Sequence, residues 1–402
     1  MGVVHRCRAR DWHGIAIVGD VTPLQSVVIV GCGVIGAAIA YELSQVPDLA
    51  ITVIDPKPAA SGATGAALGV AMAVISQKTK GRNWRLREQS LRRYQTLLPE
   101  LEAAIGHGIQ RNQGILSLCF EAEALPRWQS LQAIRQGQGY RLELWSPAQM
   151  LERCPFLNVK GAVVGVYSPQ DIQVNPTELT QALVTVATQR GVSFHIGEAV
   201  VGFETASVGE LSACHHVCTP SQTFAADWVM LASGLGTTPL TTSLQQPTIL
   251  GPVLGQGLRL HLPQPLGHSS FQPVINGSDI HLVPLGGSDY WIGATVEFPA
   301  HPETPEVALA EFLAYPPDPN LLDEVLQGAI AYCPALAQGA ITDRWFGLRP
   351  RPQGQAAPIL QPLTGYQNVM LATGHYRNGV LLAPATALAA RDWVQMGIAA
   401  RD

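Results

Sequence analysis

The sequence predicts an α/β fold in which a discontinuous domain around a parallel sheet carries an inserted α+β domain built on an antiparallel sheet. Two observations lead to this expectation. Near its start the chain has a glycine-rich turn between an apolar strand and a helical pattern, and two later apolar strands also end in small residues and glycine. A chain of 402 residues, of which 47% are hydrophobic and 14% charged, is long enough for two to three domains.

The first element is predicted by residues 26–44, SVVIVGCGVIGAAIAYELS, where a β-branched run leads into glycines in G-x-G-x-x-G spacing and then into helical periodicity. Gly31 allows the tight turn, Gly33 lets the backbone approach a pyrophosphate, and Gly36 lets helix and strand pack closely. The next apolar run ends in Asp55, nineteen residues after Gly36, where a carboxylate accepts hydrogen bonds from ribose hydroxyls. The pattern predicts a Rossmann-type dinucleotide site, and the acid disfavours the 2′-phosphate of NADP.

Two later segments, DWVMLASGLG at residues 227–236 and NVMLATGHYRNG at residues 368–379, resemble each other as short apolar strands that end in small residues and glycine. We infer that both strands end at one cofactor. The first, middle and last thirds of the chain then return to one sheet, which suits a long, extended cofactor such as FAD. An NAD-dependent dehydrogenase usually keeps its nucleotide fold contiguous, so that alternative is disfavoured.

Charge and cysteine content exclude several classes of partner. The formal net charge of −5 provides no overall basic field for nucleic acid or an anionic membrane. The most apolar windows, residues 66–75 and 379–390, fall short of the ~20 residues that a transmembrane helix needs. Seven scattered cysteines do not form a disulfide pattern, which favours a cytoplasmic location. The CHHVC cluster at residues 214–218 lacks a second ligand pair with zinc-site spacing, so no metal site is predicted.

Between Ser26 and Trp393 the sequence resembles the glycine oxidase and D-amino-acid oxidase family of FAD enzymes, which includes sarcosine oxidases and D-amino-acid dehydrogenases. The most specific segments are WFGLRPRP at residues 345–352 and NVMLATGHYRNGVLLAPATA at residues 368–387, which look like glycine oxidases in particular. The resemblance implies an enzyme that oxidises the C–N bond of glycine, sarcosine or a small D-amino acid. Hydride transfer to flavin N5 would give an imine that water hydrolyses to a 2-oxo acid, in thiamine-thiazole biosynthesis as for glycine oxidases.

The resemblance also implies a set of site residues. A planar guanidinium grips a carboxylate through two parallel hydrogen bonds, and the family pattern places Arg349 and Arg377 at the substrate carboxylate. His281 and Tyr376 are candidates to orient the amine or tune the flavin, although a structural role is equally open for them, as an ion pair is for each arginine. The residues expected to hold FAD are Gly31, Gly33, Val34, Ile35, Gly36, Asp55, Ser61, Thr64, Val200, Ala232, Gly234, Gly374, His375, Asn378 and Gly379.

Two details bear on the cofactor and the substrate. Some sarcosine oxidases attach FAD through a cysteine close to the LRP motif, whereas no cysteine follows Cys333 here, so we expect non-covalent FAD. On the substrate side, Leu254 replaces a basic residue of glycine oxidases, and His281 and Leu285 replace the Tyr and Arg of their YIVPR segment. The identity of the amino acid therefore stays open, and the two leucines suggest a more apolar side chain, such as that of D-proline.

The chain is divided as follows on these grounds. Residues 1–25 are predicted to be a disordered N-terminal extension rather than a targeting peptide. The predicted FAD-binding domain comprises residues 26–90, 161–244 and 345–402, and the predicted substrate domain comprises residues 91–160 and 245–344. Short, partly alternating strand candidates separated by Gly, Pro and Asp predict that the substrate domain is built on an antiparallel sheet.

A function from a different class stays open beside the enzyme. A non-catalytic, flavin-holding binding or assembly protein could dock an acidic partner through the segment at residues 77–95, in which seven residues are basic. A solvated helix face is the simpler interpretation of that segment. The sequence does not decide whether dioxygen or another acceptor reoxidises the flavin, and it leaves the oligomeric state open, with a homo-oligomer among the alternatives.

Overall fold

The computed structural model describes residues 25–300 and 317–400, so the predicted N-terminal extension, apart from Gln25, lies outside the described residues. The strands, in chain order, are β1 (Gln25–Val30), β2 (Leu49–Asp55), β3 (Val70–Ala71), β4 (Arg111–Cys119), β5 (Glu143–Trp145), β6 (Val164–Val174), β7 (Ser193–Ile196), β8 (Gly202–Val208), β9 (Leu211–Cys218), β10 (Thr223–Ala225), β11 (Trp228–Leu231), β12 (Leu250–His261), β13 (Val274–Gly277), β14 (Ile280–Pro284), β15 (Asp289–Gly293), β16 (Ala340–Pro352), β17 (Ile359–Pro362) and β18 (Val369–Thr373). The α-helices are α1 (Val34–Leu43), α2 (Gly81–Ile105), α3 (Leu125–Gly137), α4 (Pro147–Arg153), α5 (Pro176–Gln189), α6 (Thr237–Ser243), α7 (Pro319–Tyr332) and α8 (Gly379–Ala399). Within these ranges no helix combines the length and the apolar character that crossing a bilayer requires.

The first layer is a six-stranded sheet in the order β17-β18-β11-β1-β2-β7. All neighbouring pairs are parallel except β17 and β18. Strands β1, β11 and β18 are nearly continuous buried apolar runs, as expected for parallel strands that are covered on both faces. Helices α1, α5 and α8 pack on one face, and the small antiparallel sheet β10-β9-β8 packs on the other. The predicted Rossmann-type sheet, assembled from the first, middle and last parts of the chain, is confirmed.

The second layer is a nine-stranded sheet in the order β16-β12-β15-β14-β13-β4-β6-β3, with β5 paired to β6. Its ladders are antiparallel apart from the parallel pair β4 and β13. The expectation of a largely antiparallel second sheet is therefore met.

Three segments differ from the domain division that the sequence suggested. The sequence predicts that β6 and most of β16 belong to the FAD-binding domain, whereas both strands lie in the nine-stranded sheet. Helix α2 runs on to Ile105, past the predicted boundary at residue 90. The reason is pairing over long sequence distances: β6 pairs with β4, and β16 pairs with β12 along most of its length. The remaining division of the chain into domains stays a prediction.

The nine-stranded sheet has two apolar faces. One face packs against α7 through a cluster that includes Leu258, Ile275 and Leu282. The opposite face carries Ile115, Val274, Val283, Trp291 and Trp345, which pack together with Leu68. Because successive side chains of a strand alternate between faces, the residues two positions along from this second cluster point to the same side. That side faces the carboxyl ends of the parallel strands, and the cleft described below lies there.

Residues 81–95 of the basic segment form the first part of α2, and residues 77–80 precede the helix. Its helix buries an apolar face that includes Trp84, Leu91 and Tyr94. Four of its arginines make hydrogen bonds or ion pairs within the chain, namely Arg82 with Pro358, Arg87 with Asn378, Arg92 with Glu88, and Arg93 with Glu42 and Glu100. These contacts engage four of the five arginines of the segment within the chain, so the segment does not present seven free basic groups to a partner.

Candidate active site

A single cleft collects most of the residues that the sequence predicts for the site. The cleft lies where β1, β11 and β18 end, and the nine-stranded sheet forms its opposite wall. In open α/β sheets, ligands bind outside the carboxyl ends of the strands, so its place agrees with a general rule. The predicted residues that line it are Val34, Ile35, Thr64, Ala232, Gly234, His281, Arg349, Gly374, His375, Tyr376, Arg377 and Gly379.

The three glycines of the turn after β1 have different surroundings. A side chain at Gly31 or Gly36 would collide with backbone atoms, whereas Gly33 has an open side. Gly31 has φ +110°, and a Cβ there would lie 2.6 Å from the carbonyl oxygen of Ala232. A Cβ at Gly36 would lie 1.9 Å from the carbonyl oxygen of Gly31. At Gly33, by contrast, a Cβ would meet only the Thr64 hydroxyl, at 3.1 Å. None of the three glycines lines the cleft itself, but Gly33 is half-buried, lies next to the lining residue Val34 and leaves its Cβ side open apart from Thr64. This cradle at the N-terminus of α1 fits a pyrophosphate.

Thr64 and Asp55 lie beside this turn. The Thr64 hydroxyl oxygen accepts a hydrogen bond from the backbone N–H of Val34 at 3.0 Å, at the first residue of α1. The Asp55 carboxylate accepts from the backbone N–H groups of Cys32 at 2.6 Å and Lys57 at 2.8 Å. Both side chains therefore reach the glycine turn, although Asp55 does not itself line the cleft.

Two other predicted FAD contacts lie outside the cleft lining. Ser61 is exposed, and Val200 packs against the core between the parallel sheet and the small antiparallel sheet. Their assignments, including the adenine contact of Val200, stay predictions.

The turn after β18 sends its polar side chains in two directions. Gly374 and Tyr376 have φ +64° and +53°, which reverse the chain before α8. His375 turns inward, where its Nε2 lies 2.8 Å from the Thr386 hydroxyl, and burial lowers the pKa of His375 to about 3. Asn378 accepts a hydrogen bond from Arg87 at 3.2 Å and does not line the cleft. In this turn, the side chains of Tyr376 and Arg377 are left as candidates for the substrate side.

Arg349 lies on β16 and is held by backbone carbonyls. Its Nη1 donates to the carbonyl oxygen of Leu254 at 3.0 Å, and its Nη2 donates to that of Thr295 at 3.1 Å. The guanidinium lies over Gly255, where a Cβ would come within 2.1 Å of Nη2. Burial, reinforced by the nearby charge of Arg377, lowers the pKa of Arg349. Arginine side chains in proteins keep their charge at neutral pH. Of five N–H donors, three remain to bind a ligand.

His281 and Arg377 line the cleft from its two walls, His281 on β14 of the nine-stranded sheet and Arg377 in the turn after β18. Arg377 forms an ion pair with Asp279 at 3.6 Å. The ion-pair role that the sequence left open for this arginine therefore has a partner in the structure. The pKa of His281 is lowered to about 4 by burial and by Arg377, so its imidazole is neutral at neutral pH. Within the described residues, the buried Nδ1 of His281 has no hydrogen-bond partner, and neither has the buried Oδ1 of Asn276, its cross-strand neighbour. Buried polar atoms are rarely left unpaired, so these two atoms indicate a place for a polar ligand or water.

Asp279 and Gly255 line the cleft but are not predicted from the sequence. The suggestion that Leu254 and Leu285 favour an apolar substrate also finds no support. Leu254 is buried and contributes its carbonyl oxygen to Arg349, whereas Leu285 packs against the apolar cluster of the sheet. Neither side chain lines the cleft, so they give no reason to expect an apolar substrate. Asp279 carried one available signal, because NGSDI between two apolar runs predicts a hairpin turn. The approach of that turn to Arg377 has no signal in the local sequence.

The fold and the cleft define a dinucleotide-binding oxidoreductase in which a second sheet supplies the opposite wall of the cleft. Comparison with protein families matches residues 26–393 to the family described as FAD dependent oxidoreductase, DAO. The chain belongs to this family, and its cofactor is FAD. The residues of the cleft fit that cofactor, because the cradle at Gly33 is open and the N-termini of α1 and α8 both reach the cleft.

Several relatives span most of the chain. The bifunctional protein ThiO/ThiG of Trichormus variabilis is 30% identical over 392 residues, which cover 92% of this chain and 52% of that protein. The glycine oxidase of Geobacillus kaustophilus is 28% identical and covers 92% of each chain. A crystal structure of glycine oxidase from Geobacillus kaustophilus superposes with a TM-score of 0.79 at 26% identity, over 92% of this chain and 95% of that chain. The chain spans about half the length of the bifunctional relatives that it matches.

Proposed function

We propose that this protein oxidises the C–N bond of a small amino acid, with glycine, sarcosine and D-alanine as the first candidates. The observation that carries the proposal is the placement of Arg349, which is desolvated, fixed by two carbonyls and lies across the cleft from the glycine turn. The names of the relatives, glycine oxidase and ThiO/ThiG, support an amino-acid substrate. A role in thiamine-thiazole biosynthesis belongs to the same proposal.

The roles of the residues follow from their chemistry. Arg349 would bind the substrate carboxylate through its remaining donors, with Arg377 as a second, weaker contact because it is shared with Asp279. Neutral His281, with its unpaired Nδ1, and Tyr376 would accept or donate a hydrogen bond at the amine. The glycine turn, Thr64 and the N-terminus of α8 would hold FAD.

When bound, FAD supplies an oxidised ring that accepts a hydride from the substrate Cα. The chain's own contribution is position: a clamped carboxylate fixes the direction of the Cα–H bond, which is the kind of orientation that accounts for much of enzymatic rate enhancement. The substrate reacts with its amine in the neutral form, and bulk water can take up the proton that the ammonium form loses. Neutral His281, whose Nδ1 has no hydrogen-bond partner among the described residues, can accept a hydrogen bond from the amine N–H.

The proposal extends to features that depend on the same family resemblance. FAD is bound without a covalent link, since the last cysteine of the chain, Cys333, is buried and does not line the cleft. The location is cytoplasmic, and the electron acceptor is dioxygen or another oxidant. The alternative of a non-catalytic docking protein is not favoured, because four of the five arginines of the basic segment are engaged within the chain.

Anaerobic mixing with amino acids tests the proposal directly. Glycine, sarcosine or D-alanine should bleach the flavin of the parent protein, whereas a simple amine without a carboxylate should do so poorly. Arg349→Ala should keep FAD and lose about ten- to hundredfold in kcat/KM for each hydrogen bond removed. Arg349→Lys should recover part of the loss, since an ammonium lacks the two-pronged geometry.

The matched control for Arg349 is Arg351→Ala on the same strand. Arg351 is exposed and lies over the ring of Phe298, 5.3 Å from its centroid, outside the cleft. Its replacement should leave kcat/KM within about twofold. Equal kcat/KM values for Arg349→Ala and the parent protein would remove the carboxylate clamp from the proposal.

A further inference from the structure

Asp279 brings a negative charge to the mouth of the cleft. It occupies the two-residue turn of the β13–β14 hairpin, where Ser278 and Asp279 have φ +51° and +64°. Its carboxylate Oδ2 lies 3.6 Å from Nη1 of Arg377, and the side chain lines the cleft while remaining 78% exposed. Positive φ at both turn positions is the geometry of a tight hairpin, so the backbone itself directs Asp279 to this place.

The ionised groups of the cleft can be compared directly. Among the described residues that line it, the charged side chains are Asp279, Arg349 and Arg377. The two histidines of the lining, His281 and His375, are neutral at neutral pH because burial lowers the pKa of each, to about 4 and about 3. Among these lining groups, two arginines and one aspartate leave a single excess positive charge. Glu297 also acts on Arg349, but it lies outside the lining, where its carboxylate accepts hydrogen bonds from Gln256 and Thr295. This balance matches a ligand with one carboxylate and a neutral amine.

We propose that Asp279 restricts the cleft to amino acids with a single carboxylate and rejects dicarboxylates. A second carboxylate would compete with Asp279 for Arg377 and would meet repulsion from Asp279 itself, whereas Arg349 is free to bind the first carboxylate. The inference rests on the proposed oxidation of an amino acid and names the class of substrate. Without the charge of Asp279 the cleft would carry two excess positive charges, which suit a dianion.

Sarcosine and iminodiacetate form a matched pair for the test, because a methyl group on the amine of one is a carboxymethyl group in the other. Asp279→Asn removes the charge and keeps a side chain that tolerates positive φ, so the hairpin should fold as in the parent. Its ratio of kcat/KM for iminodiacetate over sarcosine should rise about three- to tenfold at low salt and by less at high salt. The control Asp289→Asn removes a carboxylate of the same sheet that pairs with Arg259 and His261 outside the cleft, and its ratio should not move.

Binding of unreactive anions separates this inference from the proposed function. Malonate and acetate are titrated into the FAD-loaded protein, and the change in the flavin absorption spectrum gives each Kd. In Asp279→Asn the preference for malonate over acetate should rise by a similar three- to tenfold factor. If this preference shifts while no amino acid reduces the flavin, the charge selection stands and the proposed oxidation fails. If amino acids reduce the flavin while neither ratio differs from that of the parent, the role of Asp279 is overturned and the oxidation stands.

Discussion

Arg349 depends on a residue that has no side chain. Its guanidinium lies over Gly255 on the neighbouring strand, with Nη2 2.1 Å and Cζ 2.3 Å from where a Cβ of residue 255 would be. The motif WFGLRPRP predicted that an arginine would matter here, but its support is tertiary: two carbonyl oxygens, from Leu254 and Thr295, fix the plane of the guanidinium. Such preorganisation lowers the entropy lost when a carboxylate binds.

Gly255→Ala should therefore weaken substrate binding without touching Arg349 itself. The added methyl group would push the guanidinium out of its position, so we expect KM to rise and kcat/KM to fall about tenfold or more, with FAD retained. Steady-state kinetics with the preferred amino acid measure the effect. Gly202→Ala is the control, because a Cβ there meets nothing within 4 Å. An unchanged KM for Gly255→Ala would mean that the observed position of the guanidinium is not the one that binds substrate.

The segment that follows β3 is held by two charged groups from different elements. Asp171 on β6 is fully buried and accepts backbone hydrogen bonds from Ala73, Val74 and Ile75 at 2.7 to 2.8 Å. Arg135 on α3 donates to carbonyl oxygens further along the same segment, and burial lowers its pKa to about 10. The two side chains thus satisfy opposite polar edges of one stretch of backbone. This stretch continues from β3, whose first residue lines the cleft.

Asp171→Asn should destabilise the fold measurably. An amide presents a donor group where the carboxylate accepted three N–H groups, and the loss of charge-assisted hydrogen bonds costs about 2–3 kcal/mol. Urea unfolding at fixed FAD concentration gives the change in free energy. Asp323→Asn on the exposed face of α7 is the control and should stay within about 0.5 kcal/mol. A stability for Asp171→Asn equal to that of the control would show that the segment is held by other contacts.

The protein as a whole places one cofactor cleft between two sheets, and FAD contacts should couple them. Substitutions in the glycine turn can separate the loss of FAD binding from the loss of folding stability. Gly31 and Gly36 are required by packing inside the protein, whereas Gly33 meets only Thr64. The three glycines share one motif in the sequence, yet only the packed structure shows that their demands differ.

FAD should raise the free energy of unfolding of the parent protein by about 2.7 kcal/mol at a hundredfold excess over Kd, and with it the unfolding temperature. Gly33→Val should lose this effect while unfolding near the parent temperature without FAD, because its side chain would occupy the approach of the pyrophosphate. Gly36→Val should be destabilised even without FAD, since its Cβ would overlap the carbonyl oxygen of Gly31. Differential scanning calorimetry with and without FAD measures both. Retention of the FAD-dependent shift in Gly33→Val would contradict the assigned cradle.

The cofactor and the parallel sheet could be predicted from residues 26–379 read in order, because their signals are local. A glycine turn needs glycine at set positions, and a buried parallel strand needs an apolar run, so spacing and composition carry the information. The similar sequences at the ends of the two later strands were also sufficient to predict that both strands end at one cleft.

The opposite wall of the cleft, formed by the nine-stranded sheet, could not be predicted from local sequence signals. The sequence does not show that β6 and β16 belong to the nine-stranded sheet. It also does not show that the His375 side chain points into the protein or that Asp279 contacts Arg377. Each of these depends on which strands pair across large sequence distances and on the direction of a side chain after packing. Local motifs identify the residue types that can do chemistry, whereas the balance of charge around a substrate is a sum over neighbours that only folding brings together.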